Sequence, residues 1–384
     1  MTGTGENELN TKKKSGWFIR HGSMDMTFLL LVLIILGIGL VMLFSASYAY
    51  AYTKFGNSYK FIIRQSLFAV AGVAAMFLIS RIDYHKYMRF SWLVYGLSIM
   101  MLILVYLLPA VEGYHRWIII GPINFQPSEI AKFAIILLFS HLISINYNAM
   151  KTFKFSVLFL GFLLGIVCVL VMFETHLSAT ILIFSIGIIL MIVGGLRKVY
   201  ILGGIGLGVG AAAVAVISGA VSYASDRLTY WLDPWKDAAG LGYQTIQSLM
   251  SIGSGGLLGR GLGQSMQKYL WVPEPHNDFI FAIVCEELGL LGAMLIVSLF
   301  CLLVWRGFII AMRAKDKFGS LLAIGLVCQV GLQAMLNIMV VTNTIPNTGI
   351  SLPFFSYGGT SLMILLGEMG IVLSVSRFST VTKT

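Results

Sequence analysis

Residues Trp271 to Phe281 read WVPEPHNDFIF, which sets Glu274, His276 and Asp278 directly in front of an apolar run. Two carboxylates and an imidazole this close together could accept a proton, donate one or hold an anion's counter-charge. Pro273 and Pro275 stiffen the approach, and Asn277 or Asp278 falls where a helix would begin. Capping alone would explain an acid at 278. The alternative is a carboxylate held at the mouth of the apolar segment to do chemistry. A helix N-terminus there favours the anion, whereas the apolar neighbourhood disfavours it.

A second group lies in GPINFQPSEIAKF, Gly121 to Phe133. Pro127 suits the first turn of a helix, Gln126 could cap it, and Glu129 and Lys132 lie one turn apart on the same face. That pair could serve an anionic ligand, or could simply neutralise itself so that the helix enters an apolar medium. ETHLS, from Glu174 to Ser178, holds Glu174 and His176 in a tight turn between two apolar runs. The stretch GSGGLLGRGLGQS, from Gly253, surrounds Arg260 with glycines but lacks the G-x-x-x-x-G-K-[ST] order of a nucleotide loop. Its glycines read instead as places where backbone approaches a helix or a lipid headgroup, with Arg260 as an anion contact.

The elements that carry these residues must be membrane helices. Of 384 residues 58% are hydrophobic and 11% charged, too few charges to wet the surface of a soluble domain. Runs able to cross a bilayer occur at about 26–46, 62–80, 91–108, 128–145, 156–173, 179–195, 200–220, 279–305, 318–342 and 358–376, giving an all-α polytopic protein with ten transmembrane helices. Residues 1–25 and 377–384 are then short tails flanking one membrane domain, 26–376. With an inside N-terminus, 17 of the 26 Lys and Arg residues lie on the inner side, so both termini are expected in the cytoplasm. The net charge of +10 follows from that asymmetry and calls for no nucleic acid. One large outer loop, about 221–277, joins helices 7 and 8, and the outer side gathers Arg64, Arg116, Glu129, Lys132, Glu174, Arg260 and Asp278. Charges of both signs at one boundary point to a polar substrate, such as a lipid's phosphate or first sugar, or else to solvated loops. The cysteines, Cys168, Cys285, Cys301 and Cys328, all sit in apolar runs and read as small buried hydrophobes. No cleavable signal peptide is evident.

RWI at Arg116, QPSEIAK at Gln126, the glycine-rich stretch at Gly253, PEPHNDFIFAIVCEELG at Pro273 and LPFFSYGGTS at Leu352 together resemble the signature series of the SEDS family, the RodA, FtsW and SpoVE proteins. The resemblance runs over essentially the whole chain, with wording nearer the FtsW/SpoVE branch. It implies a peptidoglycan glycosyltransferase of the bacterial cytoplasmic membrane, polymerising lipid II at the outer face for cell division or related wall synthesis. It further implies Asp278 as the catalytic residue and a class B penicillin-binding protein, a transpeptidase, as partner. One departure stands out: ETHLS replaces a Glu/Gln-Pro-Asp-Leu-Gly sequence, leaving Glu174 or His176 as substitutes for that Asp.

Such a reaction needs a base for the attacking sugar hydroxyl and positive charge for the departing polyprenyl diphosphate. Asp278 would be the base. Arg64, Arg116, Lys132 and Arg260 would supply charge, with Gln126, Glu129, His276 and Ser356 as further substrate contacts and Glu174 and His176 in support. A divalent cation, Mg or Mn, could share the diphosphate, although no metal-ligand spacing is recognisable. Hydropathy alone leaves two other classes open, a lipid II flippase or transporter and a non-catalytic scaffold for wall enzymes.

Overall fold

The computed structural model describes residues 22–109, 115–121, 123–174, 176–200, 203, 229–240, 242–269 and 271–378. Helices α1 (Met26–Phe55), α2 (Lys60–Ile79) and α3 (His85–Leu107) come first, followed by a two-stranded antiparallel hairpin, β1 (Ile118–Ile120) and β2 (Ile123–Phe125). Then come α4 (Pro127–Ile145), α5 (Lys154–Phe173, opening with a π-helical turn), α6 (Leu177–Val193), α7 (Tyr243–Gly255), α8 (Ile280–Met312), α9 (Lys317–Val341) and α10 (Gly359–Arg377). Among the described residues eight helices are long and apolar enough to cross a membrane, and α6 is a shorter apolar one. Their ranges match nine of the ten expected spans. The remaining one, 200–220, lies almost entirely outside the described residues, as do the N-terminal tail up to residue 21 and residues 379–384.

Local signals set the helix ends. Asp25 Oδ1 accepts from Phe28 N at 2.9 Å to start α1, and Gly56, at φ 68°, ends it in the left-handed conformation. Asp316 Oδ1 accepts from Gly319 N at 2.6 Å to start α9. Pro127 occupies the first turn of α4, but Gln126 makes no side-chain capping bond. At the end of the bundle remote from residue 278, Arg306 Nη2 pairs with Asp25 at 2.8 Å and His85 bridges Asp83 and Asp316.

The centre of the bundle is α9, which packs on α4, α6, α8 and α10. One of its faces is polar: Gln329, Gln333 and Asn337, four residues apart, are all buried. In an apolar medium such amides must find partners within the protein. Gln329 donates to Glu368 on α10 at 2.8 Å, Gln333 accepts from Lys132 on α4 at 3.2 Å, and Asn337 donates to the Asp278 and Ile350 carbonyls at 2.7 and 2.6 Å.

The region expected as a large outer loop is more ordered than a loop between Tyr243 and Lys268. Helix α7 runs back alongside α8, with Ser251 Oγ donating to Ala282 O at 3.0 Å. The glycine-rich turn then meets α8 where Gly289, at φ 67°, interrupts the helix. Arg260 N and Gly261 N donate to the carbonyls of Glu286 and Glu287 at 2.9 and 3.0 Å, while Leu290 N donates to Gly256 O at 2.9 Å. A Cβ on Gly259 or Gly289 would collide with the opposing backbone, so these glycines serve close backbone approach. From Ile280 to Glu287 a helix descends about 10 Å, so irregular backbone lies well inside α8's apolar length and is tolerated because protein covers it. Glu286 and Glu287 are fully buried and anchor the turn: Met266 N donates to Glu286 at 3.0 Å, and Lys268 Nζ and Ser45 Oγ donate to Glu287 at 3.0 and 2.7 Å.

Candidate active site

Where α1, α2, α4, α6, α8 and α10 begin or end, the segment before α8 and the 349–358 loop enclose a cavity of about 590 Å³. It brings together Arg64, Arg116, Gln126, Glu129, Lys132, His176, His276, Asp278 and Ser356, nine of the eleven residues singled out in the sequence. Arg260 is placed elsewhere. Its guanidinium stands 3.6 Å from Glu286, because the glycine-rich turn is committed to the break in α8. Glu174 is buried behind the wall, and its carbonyl accepts from Arg116 Nε at 3.2 Å.

Asp278 does not cap α8, whose N-terminus begins at Phe279 without a side-chain bond. Its backbone carbonyl is clamped by Asn337. Its carboxylate faces Gly349, where an added Cβ would lie only 3.3 Å from Oδ2. The group lines the cavity and keeps some accessible surface, yet protein surrounds it. That burial, reinforced by Glu274 and opposed by Arg116, raises its pKa from the usual carboxylate range to about 6. Glu174 is pushed further, to about 8, by burial that outweighs Arg116. At neutral pH Asp278 is therefore mainly ionised and Glu174 mainly protonated, so only the former can take up a proton.

Lys132, almost fully buried, is held by Glu129 at 2.8 Å and by Gln333 Oε1. Gln333 in turn donates to Ser351 at 3.1 Å, tying this cation to the loop beside Asp278. His276 is packed between Phe61 and Tyr50, with ring centroids 4.4 and 4.9 Å away, and burial plus nearby Lys54 lowers its pKa to about 4. It is an uncharged wall of the site. Ser356 lines the cavity but its hydroxyl is engaged, donating to Asn277 O at 2.8 Å and accepting from Leu352 N at 2.7 Å, so it shapes the loop. Lys54 and Lys60 also line the opening. Among the described residues no three His, Cys, Asp or Glu side chains converge as a metal-ligand set.

Gln333 and Asn337 did not emerge from the motifs, yet QVGLQAMLN carries a signal for them: three amides at helical spacing in an apolar run. The site includes a carboxylate, Asp278, able to exchange a proton near neutral pH, with cations on the walls around it. This suits removal of a proton from a hydroxyl while negative charge develops nearby.

Residues 25–381 match the model of the FtsW/RodA/SpoVE family, described as cell cycle protein. The chain is 42% identical to stage V sporulation protein E of Bacillus subtilis (strain 168) over 337 residues, covering 85% of this chain and 89% of that protein. It is 37% identical to the probable peptidoglycan glycosyltransferase FtsW of Geobacter metallireducens, covering 84% and 86%. Among solved structures it is similar to a chain of a peptidoglycan synthase complex that coordinates polymerisation and crosslinking (TM-score 0.76, 25% identity, 92% and 98% covered). It is also similar to the rod shape determining protein RodA of Thermus thermophilus (TM-score 0.70, 25% identity, 94% and 99% covered).

Proposed function

The chain belongs to the FtsW/RodA/SpoVE family, and on that premise we propose that its cavity polymerises lipid II, with Asp278 as general base. It is a peptidoglycan glycosyltransferase and a multi-pass membrane protein. In the proposed reaction an acceptor sugar hydroxyl gives its proton to Asp278 as its oxygen attacks the anomeric carbon of the donor. The bond from that carbon to the polyprenyl diphosphate breaks, and the leaving diphosphate gathers negative charge. Arg116, Lys132 and Arg64, which line the cavity, stabilise that charge. The observation that carries this reading is the state of Asp278: not used as a cap, open to the cavity, and with a pKa near 6.

The test is purified protein with lipid II, followed for glycan chains. Polymer from the protein is the expected result, and lipid II moved across vesicles with no polymer formed would overturn it. The similarity to a chain from a synthase complex supports a class B penicillin-binding protein as partner. Adding that transpeptidase should raise polymerisation; equal rates with and without it would mean that it does not activate this protein.

The inner-side excess of Lys and Arg supports a site facing outward with both termini in the cytoplasm. The Asp25–Arg306 pair and the Asp83–His85–Asp316 cluster, at the other end of the helices from the cavity, fit the same orientation. A reporter inserted at Trp235 should register as external and one fused after Arg377 as cytoplasmic. The reverse pattern would put the cavity on the wrong side for lipid II.

A further inference from the structure

We infer that His176 is an uncharged hydrogen-bond donor to the diphosphate of the lipid-linked donor sugar, presenting Nε2–H to the cavity wall that carries Arg116 and Lys132. The inference rests on the polymerase reading above and adds to it a residue at the ETHLS turn.

The tautomer follows from geometry. His176 precedes α6, and its Nδ1 accepts from Ala179 N at 3.2 Å, which makes the ring itself the helix cap. A backbone N–H can only donate, so Nδ1 carries no proton and the proton sits on Nε2. The neighbouring Ser178 hydroxyl donates to Thr348 O at 2.7 Å, directly before Gly349, the residue that faces the Asp278 carboxylate. His176 is thereby fixed to the wall that shapes the reacting centre. It lines the same cavity as Arg116 and Lys132. Burial and those two cations push its pKa down to about 3, so the ring stays neutral throughout the physiological range. A neutral N–H beside two cations, at the positive end of α6, suits phosphate oxygens and adds no third positive charge.

Two amide substitutions separate the ring's two nitrogens. Asparagine places an acceptor near the Nδ1 position and can cap α6, whereas glutamine places a donor near the Nε2 position. His176→Asn is expected to keep its expression and thermal midpoint and to lose about 10–100-fold in kcat/KM for lipid II, as for a lost bond to a charged group. His176→Gln, although the poorer cap, should retain more turnover than His176→Asn. If the order of activities instead follows the order of thermal stabilities, the ring is only a cap and the inference fails. A binding measurement needs no turnover: wild type should hold polyprenyl diphosphate about 10-fold more tightly than His176→Asn, and equal affinities overturn the inference. A wild-type protein that makes no polymer would sink the polymerase reading, while the binding comparison would still judge His176.

Discussion

Asp278→Asn is expected to lower polymerisation of lipid II by about 2–4 orders of magnitude while the protein still reaches the membrane at normal level. Asparagine has nearly the size of aspartate and leaves the backbone carbonyl free to accept from Asn337. What it removes is the proton acceptor. Because Asp278 does not cap α8, the substitution costs no cap, and a loss of activity cannot be explained by a frayed helix. The pH profile of the wild type gives a second reading of the same group. With its pKa at about 6, the rate should fall about tenfold per pH unit below 6 and level off above it. Near-normal turnover in Asp278→Asn would remove the residue from the mechanism. Glu129 would then be the next carboxylate to test, since Glu174, at about 8, is protonated where the enzyme works.

The same residue links activity to stability, with a sign that can be checked. The folded-state pKa of Asp278, about 6, lies above the value near 4 of an unfolded chain, so the fold disfavours the ionised form. The penalty is absent below pH 4, grows between 4 and 6, and is complete above 6. Asp278→Asn should therefore raise the thermal midpoint at pH 7 and leave it unchanged near pH 4. A more stable, inactive variant is what a base held in an unfavourable environment predicts.

Nine of the described helices, all but α7, could be read from the sequence because their apolar runs are long and nearly free of charge, the strongest signal that a chain carries. Residues near the apolar boundaries, from Arg64 to Asp278, could be grouped because charge there is costly and so points to a site. Arg260 shows where that logic ends. Hydropathy assigns a residue to one side of the membrane, but whether its segment stays at the surface or folds back depends on pairing with distant backbone, here with Glu286 and Glu287. Asn337 and Gln333 show the converse case. They lie within an apolar run and far along the chain from Asp278 and Lys132, and only the packing of α9 against α4 and the 349–358 loop gives them their partners. The role of Ser356 was equally out of reach, since a motif records a hydroxyl but not which way it is engaged.

Lys132→Met carries the second large expectation, a fall of about 2–3 orders of magnitude in polymerisation, because a preorganised cation beside the leaving diphosphate acts mainly in the transition state. Removing a charge from a membrane helix would by itself ease insertion, but here the charge is paired. Lys132 is 3% exposed and lies 2.8 Å from Glu129, so the single substitution strands a carboxylate and leaves Gln333 Oε1 without its donor. Breaking a buried pair on one side costs about 3–5 kcal/mol, so Lys132→Met should also lower the amount of protein in the membrane. The double variant Glu129→Gln, Lys132→Met separates the two effects, since a neutral amide can take Glu129's place without a buried charge. Its level should return towards that of wild type while polymerisation stays low. If the double variant instead polymerises at the wild-type rate, the pair exists to carry α4 into the bilayer, and stabilisation of the diphosphate falls to Arg116 and Arg64.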